Sequence, residues 1–329
     1  MDHFTTWMMY MRDWGYKLKY SFLRTISKKW KDILSHSFAL VGTIFTLAEI
    51  LDNVFNKSIG YTALRSNFIV ILIAIFIISI CIDWEHLKCT YFLEDTDIQI
   101  TLLVGDIFHQ KGAIVIPTNT TFDTLMDDEF ISIHSVQGQY QEKYYHNNLK
   151  LLNSQLIESL EGIPYIELAD NRQTNAKQYE IGTACKISRG MQHTYFLAVA
   201  NINKFGKPIN ATFHDITTSL VCFWQNLNTM GHIEELLIPL LGTGRAGVKD
   251  ASRDKIIQEI IFSFIVAARE MKITESLTIC IHPSDFAKKN LHWDDMCDYL
   301  YYMCKFKYSE QSSRTEGQPE SEVAATRYR

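Results

Sequence analysis

The sequence is poor in the groupings that mark metal and triphosphate chemistry. Its seven cysteines, at 81, 89, 185, 222, 280, 297 and 304, form no C-x-x-C pair, which argues against a zinc knuckle. Its histidines form no H-E-x-x-H motif and no cluster; His193, His214 and His232 are scattered. No metal site and no catalytic residue is therefore assigned. No basic stripe with interleaved aromatics occurs beyond residue 90, so no nucleic-acid face is expected. The first apolar run begins near residue 37 and has no small-residue cleavage site, so no signal peptide is expected. No internal repeat is evident. An odd number of cysteines without local pairing suits a reducing cytosol, and Cys185, Cys222 and Cys280, inside apolar runs, read as small core residues.

Long hydrophobic runs, by contrast, are present. Phe68 to Ile82 reads FIVILIAIFIISICI, without a charge. Extended over 63–84 it reaches the roughly 20 residues that cross a ~30 Å hydrocarbon core. A segment apolar on every face has no amphipathic place on a protein surface. A second run, FALVGTIFTLAEILDNVF over about 36–55, contains Glu49, Asp52 and Asn53. It reads either as a first span, its carboxylates near the outer end, or as an interfacial amphipathic helix. The short connector around Asn56–Tyr61 favours a hairpin of two spans.

Residues 1–35 mix aromatics with Arg12, Lys17, Lys19, Arg24, Lys28, Lys29 and Lys31. Basic flanks set orientation, so this juxtamembrane segment is expected on the cytoplasmic side, and two spans return the chain there. The segment reads as a helix lying on the anionic inner leaflet, with a helix packed on the downstream domain as the alternative.

From about residue 90 the pattern changes to alternating strands and helices. Strands are expected near Ile98–Leu102, Gly112–Pro117, Pro164–Leu168, Ile181–Ile187, Tyr195–Ala200, Glu235–Leu241 and Leu277–Ile281. Helices are expected over Asn147–Leu160, Asp215–Met230, Asp250–Met271 and Trp293–Phe306. This predicts an α/β domain over 90–308, three layers (α/β/α) around a mixed sheet, with ligands at the strand C-terminal ends. The tail, 309–329, is polar and expected to be disordered.

Two stretches carry chemistry. Ile238–Val248 reads IPLLGTGRAGV, a strand running into Gly242-Thr243-Gly244-Arg245-Ala246-Gly247. Such a loop can aim backbone N–H groups at an anion, most often phosphate. No Lys-Ser/Thr pair follows Gly247, so it is not a Walker A loop, and a plain glycine-rich turn stays open. Leu102–Asn119 reads LLVGDIFHQKGAIVIPTN, two strands with Gly105-Asp106-Ile107 after the first and Asn119 ending the second. In this order the two motifs resemble the macro domain, the ADP-ribose-binding module, over roughly residues 95–290.

The resemblance implies that Asp106 accepts the adenine amino group, that Ile107 packs beside the base, and that Asn119 reaches the distal ribose. It also implies that the backbone of Gly242–Gly247 holds the diphosphate. Phe286 is a candidate to stack on the base, with core packing as its alternative; Asp106 and Asn119 read otherwise as turn residues. His282 reads as a satisfied strand-end histidine. The first loop departs from the family: Thr120–Asp128 (TTFDTLMDD) contains no glycine. Thr120, Thr121, Asp123 and Asp127 either contact an altered distal group or form a solvated acidic loop. Hydrolase activity is therefore not expected.

Two spans ahead of such a domain resemble the membrane-anchored effectors of bacterial TIR-linked (Thoeris-type) antiphage systems. That resemblance implies a ligand derived from ADP-ribose and made by a TIR-domain partner enzyme, with no other cofactor. It implies a homo-oligomer in the bacterial inner membrane, with both termini and the macro-like domain cytoplasmic. The alternatives are a membrane-tethered ADP-ribosyl hydrolase and a structural anchor with a vestigial pocket.

Overall fold

The structure is a computed structural model. It describes residues 3–55, 59–127, 130–146, 148–168, 175–190, 192–203, 207–232, 234–242, 247–271, 273–287 and 291–306. The expected disordered tail and residues 56–58 of the connector lie outside these residues.

The chain opens with one unbroken helix, α1 (His3–Phe55), of 53 residues, and α2 (Ile59–Ile82) of 24. At 1.5 Å per residue α1 is about 80 Å long. The helix α2 carries a non-helical residue at Asn67 (φ −118°, ψ 16°). The two pack against each other through Ile33 and Ala48 on α1 and Leu64, Ile75, Ser79 and Ile80 on α2, all buried. Ser37 donates to Ser79 Oγ at 3.0 Å, and His36 Nδ1 lies 2.8 Å from Asp83. Phe68, Ile69, Val70, Ile73, Phe76 and Ile77 all point outward. Both helices are long and apolar enough to cross a membrane, a pattern compatible with a transmembrane hairpin.

Of the two readings of the N-terminal segment, a helix on the leaflet or a helix packed on the downstream domain, the second describes the contacts found. Residues 11–35 continue the same helix as the first apolar run, and one face of them docks on the α/β domain. Ser21 and Thr25 are buried there. Arg24 pairs with Glu85 at 2.7 Å and with Asp294 at 2.5 Å, and Lys28 pairs with Asp294 at 2.6 Å. These positions recur every three or four residues, which puts them on one helical face.

The domain is built from β1 (Lys88–Phe92), β2 (Gln99–Val104), β3 (Ala113–Asn119), α3 (Val136–Tyr145), α4 (Leu149–Ser159), β4 (Ile166–Glu167), β5 (Lys177–Gln178), β6 (Ala184–Arg189) and β7 (Gln192–Ala200). There follow α5 (Phe213–Thr229), β8 (Leu236–Pro239), α6 (Arg253–Glu270), β9 (Ser276–Ile281), α7 (Pro283–Ala287) and α8 (Trp293–Lys305). Seven strands form one sheet in the order β1-β2-β9-β8-β3-β7-β6. The five central strands are parallel, and the edge strands β1 and β6 are antiparallel to their neighbours. The mixed sheet is thus present as expected.

Successive side chains on a strand face opposite ways, and the core divides accordingly. Ala113 and Val115 of β3, with Tyr195, Leu197 and Val199 of β7, join the core under α5, α6 and α8. Ile114 and Ile116, with Phe196 and Ala198, join the core under α3 and α4. Strands buried on both faces read as continuous apolar runs, which is why β3 and β7 are legible in the sequence.

Several elements differ from expectation. Strand β1 and helix α3 were not foreseen, because KCTYF and VQGQYQEKYY carry neither a clean alternation nor an apolar face. The strand expected at 164–168 is a two-residue bridge to β5 outside the main sheet. Cys89 and Cys297 form a disulfide across 208 residues, a correction to the reading of seven unpaired thiols. No local spacing signals it; β1 packed beside α8 brings the two together. Burial pushes the thiols of Cys185 and Cys280 up to about 12, which suits small core residues.

Candidate functional site

The parallel strands β2, β9, β8 and β3 lie side by side, so their C-terminal ends form one edge. From β2 to β3 is three inter-strand spacings, about 14 Å, the scale of an extended nucleotide. Asp106 follows β2, His282 and α7 follow β9, the glycine loop follows β8, and Asn119 ends β3. Sequence reasoning named a residue at each of these ends, and the sheet order brings them to one edge.

At the β2 end, Gly105 N donates to Ile281 O at 2.9 Å, joining Asp106 to the end of β9. Asp106 caps a single 3-10 turn, Ile107–His109: its Oδ1 accepts from Phe108 N at 2.9 Å. Its Oδ2 lies 2.8 Å from His109 Nδ1. The carboxylate is nonetheless 30% exposed, so the turn-capping role leaves part of it facing out. Ile107 is buried in the core under α3 and α4.

At β9, His282 Nδ1 lies 2.8 Å from Ser284 Oγ, and its carbonyl accepts from Asp285 N and Phe286 N. Phe286 stands edge-on between Tyr20 of α1, with centroids 5.2 Å apart, and Trp293 of α8 at 5.9 Å. The core-packing alternative therefore describes its contacts here.

At β8, Gly242 has φ +66°, and a Cβ placed there would lie 2.5 Å from Val248 Cγ2. Glycine is required twice over: for the left-handed backbone and for the close approach. Its carbonyl accepts from Val248 N at 3.0 Å, closing the base of the loop. Gly247 lies inside that closure. Thr243, Gly244, Arg245 and Ala246 lie outside the described residues.

The β3 end differs from both of its readings. A register irregularity at Thr118/Asn119 turns the strand, and the loop that follows folds inward. Asn119 is 6% exposed, Thr120 0% and Asp123 1%. Asn119 Nδ2 donates to Asp123 Oδ2 at 2.9 Å, while its Oδ1 accepts from the backbone N of Thr121 and of Asp123, each at 3.2 Å. Thr121 Oγ1 donates to Asp123 Oδ2 at 2.6 Å, and Asn175 N to Asp123 Oδ1 at 3.1 Å. Thr120 Oγ1 accepts from Gln178 Nε2 at 3.2 Å. Over Thr120–Asp123 the loop is neither a solvated acidic turn nor a set of free ligand contacts; Asp127 is exposed, and its Oδ1 accepts from Phe130 N at 2.8 Å. The Asn119 carboxamide already serves its own loop, and the Thr120 side chain is enclosed.

Sequence reasoning missed Gln137 and Asn175. Gln137 Nε2 donates to Asp123 O at 2.7 Å, and Asn175 Nδ2 donates to the carbonyls of Thr121 and Phe122, each at 3.0 Å. These bonds hold Phe122 at φ +51°, a conformation rare for a bulky residue. The Thr-Asn-Thr-Thr-Phe-Asp run after a strand was the available signal, since such side chains bond their own backbone.

Among the described residues no group of three or more His, Cys, Asp or Glu is placed to hold a metal ion.

Three comparisons bear on this geometry. Residues 100–282, more than half of the chain, match the family model described as Thoeris protein ThsA, Macro domain. The Thoeris protein ThsA of Bacillus amyloliquefaciens (strain Y2) is 24% identical over 241 residues, covering 69% of this chain and 78% of that protein. Among solved structures, an Oceanobacillus iheyensis macrodomain mutant with ADPR matches with a TM-score of 0.45 at 13% identity, covering 67% of this chain and 100% of that one. A Trypanosoma brucei macrodomain in complex with ADP-ribose matches with a TM-score of 0.39 at 10% identity, covering 61% and 67%. The matched segment contains β2, the glycine loop and the end of β9, and on that match this chain belongs to the Thoeris ThsA macro-domain family.

Proposed function

We propose that this protein is a membrane-anchored receptor and effector of antiphage defence. Its macro domain binds an ADP-ribose-derived nucleotide made by a TIR-domain partner enzyme, and binding triggers disruption of the bacterial inner membrane. The domain and both termini are cytoplasmic, and the working form is a homo-oligomer. One observation carries the reading. Asp106 and the closed glycine loop share one edge of a parallel sheet, inside the segment matched to the ThsA macro family and directly after two helices of spanning length.

The chemistry is recognition. An exposed carboxylate oxygen of Asp106 accepts from the adenine amino group. The backbone N–H groups of the glycine loop receive the diphosphate. The competing reading, a tethered ADP-ribosyl hydrolase, needs groups free to hold the distal ribose and a water. Asn119 is bonded within its own loop instead, which supports a receptor over an enzyme.

Calorimetry of the full chain in detergent with ADP-ribose tests the binding step. Saturable heat is expected; none at millimolar ligand would sink the receptor reading. In cells, Leu72→Arg should abolish toxicity, since a central Arg costs about 2.5–3.5 kcal/mol on insertion scales. Toxicity that survives it would reduce the membrane to an address.

A further inference from the structure

Helix α1 does more than tether the domain, because its N-terminal half abuts the ligand edge of the sheet. Tyr20 meets Phe286, four residues beyond the end of β9's neighbour His282, edge to face at 5.2 Å. Lys17, three residues earlier on the same face, places its Nζ 3.9 Å from where a Cβ on Gly105 would stand. Gly105 immediately precedes Asp106. Lys17 is half-buried, and its ammonium has no hydrogen bond or ion pair among the described residues. Lys17 thus stands at the adenine end of the edge, beside Asp106 and two inter-strand spacings, about 10 Å, from the loop read as taking the diphosphate; a nucleotide laid along the edge brings its anionic groups toward this ammonium.

The same helical face continues into a clamp. Glu85 N donates to Thr25 Oγ1 at 2.9 Å, Arg24 bridges Glu85 and Asp294, and Lys28 also reaches Asp294. Beyond Lys28 the helix runs without interruption to Phe55, through the apolar run. One rigid element therefore touches the nucleotide edge at one end and packs on α2 at the other.

We propose that α1 forms a wall of the nucleotide pocket, with Lys17 as a ligand-contacting cation and Tyr20 as a lid contact on Phe286. The nucleotide then binds most tightly when α1 is docked, and occupancy is passed directly along the helix into the membrane-spanning pair. By linkage, whatever undocks α1 weakens ligand binding, and ligand strengthens docking by the same factor. The proposal rests on the receptor reading above.

The test uses the full chain in detergent, with ADP-ribose as the probe. Lys17→Ala removes the cation at the pocket. Asp294→Lys breaks the clamp from α8, away from the ligand edge, and circular dichroism and the thermal midpoint report whether each variant is folded. Both variants should bind ADP-ribose at least fivefold more weakly than wild type. In wild type, ADP-ribose should slow amide hydrogen exchange across residues 17–28, and the Asp294→Lys protein should exchange faster there before ligand is added. Retained affinity in either folded variant, or exchange in 17–28 indifferent to bound ADP-ribose, overturns the proposal while leaving the receptor reading intact. If wild type binds no ADP-ribose, the receptor reading fails and the proposal falls with it. An Asp294→Lys protein that does not fold is replaced by Arg24→Ala with Lys28→Ala, read in the same way.

Discussion

The two ends of the proposed ligand edge are built on opposite principles. At the β2 end, Asp106 is 30% exposed, and the neighbouring surface is made by side chains of another element, α1. At the β3 end, Asn119, Thr120 and Asp123 are all buried and bonded to one another and to Gln137, Asn175 and Gln178. Both ends carry the polar residues that sequence reading takes for ligand contacts. Only one leaves them facing outward. A polar side chain buried with its partners fixes a loop; the same side chain left half-exposed on a fixed turn can recognise something. Under the proposed function, the β2 end is the recognising end and the β3 end is scaffold.

Substitutions at the two ends should separate these roles. The largest effect is expected from Asp123→Ala, which leaves Asn119 Nδ2 and Asn175 N without their acceptor and the Thr121 hydroxyl with Asn119 Oδ1 alone; three bonds to the carboxylate are lost. Hydrogen bonds to a charged group contribute roughly 1.5–3 kcal/mol, and the three are not additive. A loss of about 2–4 kcal/mol in unfolding free energy is expected, read by chemical denaturation. A stable Asp123→Ala protein with lowered nucleotide affinity would reverse the assignment of the two ends.

Asp106→Ala should act the other way, weakening ADP-ribose binding by roughly 1–3 kcal/mol with a smaller change in stability from the lost turn cap. Unchanged affinity in calorimetry would remove the adenine contact. Gly242→Ala, between the two ends, combines a left-handed backbone, unfavourable by roughly 1–2 kcal/mol for a side-chain residue, with contact on Val248. Affinity should fall about tenfold or more as the loop opens, and wild-type affinity would show that the loop does not receive the diphosphate.

The smallest effect concerns pH. The hydrogen bond from Arg24, with a second from Lys28 and against partial burial, holds the Asp294 carboxyl below the usual carboxylate range. A depressed folded value means that the charged form stabilises docking. This stabilisation is fully present above the unfolded value, about 3.9, and is lost as pH falls through the folded value. Asp294 is half-exposed, so the effect is modest. The thermal midpoint of Asp294→Asn should lie below wild type at neutral pH and converge with it in strong acid. Parallel midpoints across that range would show that the clamp contributes nothing.

These tests also mark what could be read in advance. The central strands were legible because both faces of the sheet are covered: Ile114, Ile116, Phe196 and Leu237 face one core, and Ala113, Val115, Leu197 and Ile238 face the other. The glycine loop was legible because Gly242 has a backbone that other residues rarely adopt. The loop after β3 was misread: its threonines and aspartates look like surface residues until their partners, 14 to 58 residues away, are in place.

By itself, the sequence determined the two long apolar runs, the alternation of strands and helices, and the two motifs that carry the family resemblance. These depend on local period, on continuous apolarity and on glycine's conformational freedom, all of which act over a few residues. Only the tertiary structure decided that residues 3–55 are one helix, that Lys28 reaches Asp294 across 266 positions, and that Tyr20 rests on Phe286. It likewise decided that Asn119 turns inward while part of Asp106 faces out. Burial and pairing are properties of what packs against a residue, and no window of neighbouring sequence contains that information.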